Sequence, residues 1–165
     1  SDYRTVVEKR PDYNIAYEPL ATLFYKQKEW TKAARYYKKG FEFQKEEYRL
    51  ALMAGLSFRR AGEKEKAGDY LKSVINSFPR ENLVYHVARL LIDPKYDTHV
   101  IHQIEKEKNK TVKSQMLYYL AVHYLLEGKR SLALTYLLEV KDNVAPMIME
   151  HQLAEWEMEQ SDERL

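Results

Sequence analysis

The chain has 165 residues, enough for one domain with a sizeable core or for a short stack of repeats. At 45% hydrophobic and 32% charged it reads as a folding chain, not a disordered one, and a net charge of +2 supplies no strong field for nucleic acid or an anionic membrane. The absence of cysteine excludes disulfides and thiolate chemistry, and 5 Gly with 5 Pro are too few for the many turns of an all-β fold.

Tyr3, Val6 and Val7 form an apolar stripe at helical spacing, ended by Pro11-Asp12. The stretch Asp2–Lys9 reads as the second half of a helical unit whose first half is missing, as expected of a domain cut from a longer protein. Asn14 is the expected N-cap of the next helix, which runs to about Lys26; Pro19 fits it only through a late start or a slight kink. Trp30, Ala33, Ala34, Tyr37 and Phe41 line the helix after that.

The stretch Arg49–Pro79 predicts a regular pair, about Glu47–Arg60 and Glu63–Ser77, joined at Ala61-Gly62. Gly55 and Ala67 are small where two helices would touch, with Phe58, Leu71 and Val74 as bulky partners. A less regular pair follows. Asn82–Ile92 is broken early by Asp93-Pro94, and Tyr96–Lys108 is a short second helix with Val100, Ile101 and Ile104 inward. Lys113–Glu127 and Arg130–Asp142 form the last pair, joined at Gly128. Pro146 opens a final helix to Gln160, with Ile148, Leu153 and Trp156 covering the stack and the polar remainder facing water. The longest nearly apolar run, Met116–Leu126, is far short of the roughly 18–20 residues of a membrane span.

The units repeat. Ala33 and Ala67 are 34 residues apart, as are Phe24 and Phe58, and Ala21 and Gly55. Gly62 and Gly128, Ala67 and Ala133, and Phe58 and Tyr124 are each 66 apart, so the irregular unit between them is two residues short. A helix–turn–helix period of this length resembles the tetratricopeptide repeat (TPR) family. The family's large–small pair is similar to Leu20-Ala21, Ala54-Gly55 and Leu120-Ala121, its aromatic to Phe24, Phe58 and Tyr124, and its turn glycine to Gly62 and Gly128, with Lys28 in that slot of the first unit. Its second small residue is Ala33, Ala67 and Ala133, and its closing proline Pro11 and Pro79; Lys45 departs from the proline, and Pro146 comes one residue late.

The resemblance implies an all-α fold, a right-handed superhelical solenoid of antiparallel helix pairs. As a single domain over 1–165 it would hold a truncated unit at 1–12, repeats at 14–47 and 48–81, an irregular repeat at 82–113, a repeat at 114–145 and a capping helix at 146–160. First helices would line a concave groove. Its expected partner-binding residues are Leu52, Met53, Leu56, Arg59, Arg60, Tyr118, Tyr119 and Val122, a Tyr/Arg-rich apolar surface suited to a peptide or helix. The expected function is a non-catalytic scaffold or adaptor binding a protein or peptide partner. Ranked after it are self-assembly as a structural domain of a larger protein, then nucleic-acid binding.

Chemical motifs are sparse. His99-x-x-His102 with Asp97 offers two imidazoles on one face, but metal sites need three or four ligands, and these residues read as solvated helix positions. His123, within an apolar helix, reads as a core or groove histidine. The chain holds no glycine-rich phosphate loop and no G-x-S-x-G or H-E-x-x-H, and its carboxylates are mixed with lysines, so no catalytic, cofactor or metal residue is expected. Compartment is not legible.

Overall fold

The computed structural model describes residues 2–9, 16–143 and 147–163. Every regular element among them is helical, and the chain divides into two units, Ser1–Pro79 and Arg80–Leu165.

In the first unit, α1 (Asp2–Lys9) precedes two antiparallel pairs, α2 (Tyr17–Lys26) with α3 (Trp30–Phe43), and α4 (Tyr48–Arg60) with α5 (Lys64–Val74). The expected cap Asn14 and the stop at Pro11 lie outside the described residues. α2 does start late: Pro19 is its third residue, where the backbone N–H has no helical partner to lose. Small residues set the helix spacing. Ala21, Ala33, Ala34, Ala51 and Ala54 are all fully buried. A Cβ on Gly40 of α3 would lie 3.2 Å from Tyr17 Cβ and 3.3 Å from Leu50 Cδ1, and one on Gly55 of α4 would lie 2.8 Å from Leu71 Cδ1 of α5. Backbones this close let bulky neighbours interlock and fix the crossing.

The turns within pairs share one geometry. Lys28 (φ 61°) and Gly62 (φ 82°) both adopt the left-handed conformation. In each turn the next residue's N–H donates to the carbonyl of the aromatic, Glu29 to Phe24 and Glu63 to Phe58, both at 2.9 Å. The lysine in the glycine slot therefore keeps the glycine backbone. α5 ends at Val74, short of the expected Ser77, and passes through a 3₁₀ turn, Ile75–Ser77. Pro79 holds Phe78 extended (φ −79°, ψ 135°), which closes the helical path after Ser77. Phe78 is thereby buried against Tyr48 and Phe41, with ring centroids 4.9 and 6.2 Å away.

The second unit contains α6 (Leu83–Ile92), α7 (Asp97–Lys106), α8 (Lys110–Leu126), α9 (Arg130–Asn143) and α10 (Met149–Glu163). Asn82 caps α6 by accepting from Val84 N, and Asp93 accepts from Lys95 N to launch the Pro94–Tyr96 turn into α7. Asn109 accepts from Thr111 N and Val112 N, which starts α8 three residues before the expected Lys113. Val100 and Ile104 of α7 are buried as expected, while Ile101, also expected inward, stays half-exposed. α8 and α9 pack closely around Ala121, Ala133 and Leu137, with Gly128 (φ 80°) in their turn and Lys129 N donating to Tyr124 O.

α10 packs on α9 and α8 and starts at Met149; Pro146 lies outside the described residues. Its polar side does not all face water. Glu150 and Glu157 are 0% and 3% exposed, because tyrosine hydroxyls of α8 reach their carboxylates. Ile148 and Trp156 remain half-exposed, while Leu153 is buried.

Candidate functional site

The expected groove residues are mostly interior. Leu52, Met53, Tyr118, Tyr119 and Val122 are 0% exposed and Leu56 1%. Along α4 the burial is unbroken from Leu50 to Phe58. Helical phase leaves no watery side to such a run, and a helix apolar all round is a core helix. An open surface built from Leu52, Met53 and Leu56 is therefore corrected to packing positions.

The same correction applies to α8, where the contacts name the cause. Tyr119 donates to Glu150 Oε2 at 2.6 Å and Tyr118 to Glu157 Oε2 at 3.2 Å, while Gln115 Nε2 donates to Glu150 Oε1 at 3.4 Å. The two tyrosine rings meet edge to face with centroids 5.5 Å apart. Val122 lies one turn on from Tyr118 and is closed off with them. Hydroxyls expected to meet a partner thus satisfy carboxylates of the unit's own last helix.

Arg59 and Arg60 alone among the eight are half-exposed, at the C-terminal end of α4. There the cationic side chains also complement the negative end of the helix dipole. The Arg60 guanidinium lies over Tyr25 and Trp30, 5.0 and 4.9 Å from their centroids, and those two rings meet edge to face. Arg60 is thereby held by aromatic stacking, which guanidinium tolerates better than ammonium.

The residues sequence reasoning missed lie on the second helices. Arg35 sits over Tyr36, Lys38 over Tyr70, Lys39 over Phe43 and Lys66 over Phe58, at 5.1 to 5.7 Å. Tyr36 stacks on Phe24, and Phe43 on Tyr17. On α3 the local signal was Arg35 beside Tyr36 and Lys39 four residues before Phe43, but the resemblance drew attention to first helices instead. Charge divides unevenly too: the first unit has 16 Lys and Arg against 11 Asp and Glu, and the second has 11 against 14.

The histidines separate from the expected pair. His99 and His102 are both exposed, as solvated helix positions, and His99 lies against His86 of α6 with ring centroids 5.4 Å apart. Burial first, then His99 and Arg89, pull the His86 pKa below its ordinary value. Asp97 accepts from Tyr124 at 3.2 Å. No group of three or more His, Asp or Glu among the described residues is arranged to hold a metal ion. No helix among them is long and apolar enough to cross a membrane.

Comparison with known families places residues 50–80, α4 through α5 and the closing proline, under the tetratricopeptide repeat. That match, on a strand-free set of paired helices, supports classing the domain as TPR-type. A search of curated proteins finds no match to the chain.

Proposed function

We propose that this chain is a non-catalytic interaction scaffold that binds a protein or peptide partner. The observation that supports the reading most directly is the repeat itself. Closely packed helix pairs, spaced by Ala33, Gly55 and Ala67 in the first unit and by Ala133 in the second, let each unit by itself present a fixed surface. Rigid presentation lowers the ordering cost of association, which is how such a body gains affinity without chemistry. Of the residues expected to meet a partner along the first helices, Arg59 and Arg60 retain exposed area, and guanidinium groups favour a carboxylate-bearing segment.

Affinity capture on the full chain, followed by titration of each captured protein against the purified domain, tests this. The expected result is saturable one-to-one binding, weakened about tenfold by Arg59→Glu as for loss of one close charge pair. A set of captured proteins that all fail to saturate would sink the scaffold reading. Self-assembly is the second reading, carried by Tyr3 and Leu23 of the first unit, 47% and 36% exposed. It requires a mass that rises with concentration in sedimentation equilibrium.

A further inference from the structure

Between α3 and the C-terminal half of α5 the first unit has an open groove of about 390 Å³. Phe41, Tyr70 and Val74 form its apolar floor and walls, and Lys38, Lys45, Glu42 and the two serines Ser73 and Ser77 form its rim. All of these belong to second helices and their ends, away from the first-helix residues discussed above.

The polar groups around the groove are unevenly satisfied. Ser73 donates to Tyr70 O at 2.6 Å and Ser77 donates to Val74 O at 2.7 Å, so both hydroxyl protons are used. Glu42 is drawn to Lys39, 3.7 Å away. Neither Lys38 nor Lys45 has a carboxylate partner among the described residues; Lys38 lies over the Tyr70 ring at 5.7 Å. The Tyr70 hydroxyl is out of solvent and has no hydrogen-bond partner. Burial first, then Glu42, push its pKa well above the ordinary phenol value, so it stays protonated.

The groove therefore offers an apolar floor and two ammonium groups without carboxylates, with the one acid at the rim already engaged. The surrounding helix has the same bias: α3 carries Lys32, Arg35, Lys38 and Lys39 against Glu42. We propose that this groove is a docking site for an acidic segment of a protein partner, which inserts one bulky apolar side chain between Phe41 and Val74 and sets flanking carboxylates on Lys38 and Lys45. The volume suits one such side chain with its adjoining backbone. The site goes beyond the scaffold reading, since it concerns a different surface and stands or falls on its own measurements.

The test titrates the full, isotopically labelled chain with acetyl-Asp-Glu-Phe-Asp-amide and follows amide shifts. The expected result is saturable change confined to residues 38–45 and 70–77, with Kd of roughly 0.1–1 mM, as for a single anchored side chain. The neutral peptide acetyl-Asn-Gln-Phe-Asn-amide and the anchorless acetyl-Asp-Glu-Ala-Asp-amide should each bind about tenfold more weakly. Lys38, Lys45 and Ser73 are exposed, so reversal by Lys38→Glu with Lys45→Glu, or blockage by Ser73→Trp, leaves the fold intact and should remove the shifts. Four outcomes would overturn the proposal. They are shifts that never saturate, equal binding of the neutral peptide, undiminished binding by the charge-reversed variant, and groove shifts produced by concentrating the protein alone, which would make a second copy the occupant.

Discussion

Gly40, Gly55 and Gly68 lie inside helices, and replacing any of them by alanine gains the same intrinsic helix propensity, about 1 kcal/mol. What differs is the space. A Cβ on Gly68 meets nothing within 4 Å, whereas one on Gly55 comes within 2.8, 3.0 and 3.1 Å of Leu71 Cδ1, Cγ and Cδ2. Leu71 is 1% exposed and has no free volume to retreat into, so forcing it off its rotamer costs about 1–3 kcal/mol. Gly68→Ala should therefore stabilise the first unit by about 1 kcal/mol, while Gly55→Ala ends between neutral and about 2 kcal/mol destabilising. Urea unfolding read by Trp30 fluorescence in a Trp156→Phe background reports the first unit and measures both. A third variant isolates the cause. With Leu71→Ala already present, the clash is gone and Gly55→Ala should become stabilising, giving a coupling of about 1–3 kcal/mol between the two sites. If Gly55→Ala in the wild-type background stabilised as much as Gly68→Ala, close backbone approach would not be what Gly55 supplies.

Two further outcomes follow from single residues. Lys28→Gly should stabilise the first unit by roughly 0.5–1 kcal/mol, because relief of the left-handed backbone at φ 61° outweighs the extra chain entropy of glycine; a loss of stability in the same urea assay would contradict that account. For His86 the folded-state pKa is pulled below the ordinary 6.5 by burial, then His99 and Arg89. The unfolded chain thus binds the proton first, and the stabilising contribution is full above about pH 6.5 and lost as pH falls through the lowered folded value. Unfolding free energies at neutral and mildly acidic pH should fall more steeply for the wild type than for His86→Gln, and parallel curves would remove His86 from the acid response.

The repeat register was legible because it rests on residue size and backbone conformation, which a single chain displays directly. Aligning Lys28 with Gly62 and Gly128 puts the three in one turn slot, and all three adopt the left-handed conformation there. The groove was not legible in the same way. Phase puts Leu52, Met53 and Leu56 on one side of α4 but says nothing of whether that side is covered. The warning was the absence of any charged residue between Arg49 and Arg59, a mark of a helix buried all round. Glu150 and Glu157 were harder still. Acids on a terminal helix ordinarily face water, and the tyrosines that bury them lie 31 and 39 residues earlier, at separations no local pattern encodes.

The aromatic content explains where recognition can reside in such a chain. The large side chains Tyr17, Tyr25, Tyr37, Tyr118, Tyr119 and Tyr124 are almost completely buried, so most tyrosine surface is spent on packing, not on display. The lysines and arginines of the second helices then cover the flanks of Tyr36, Phe43 and Phe58, with stems on the apolar faces and charges outward. This arrangement accounts for most of the basic surface of α3 without a nucleic-acid partner, since Lys32 and Lys39 also hold carboxylates, Glu29 at 3.2 Å and Glu42 at 3.7 Å. What it leaves over is small and local: Lys38 and Lys45 without acids, beside a tyrosine hydroxyl without an acceptor. Specificity on a scaffold of this kind is therefore better sought where packing has left polar groups unmatched than along the helices whose apolar residues define the repeat.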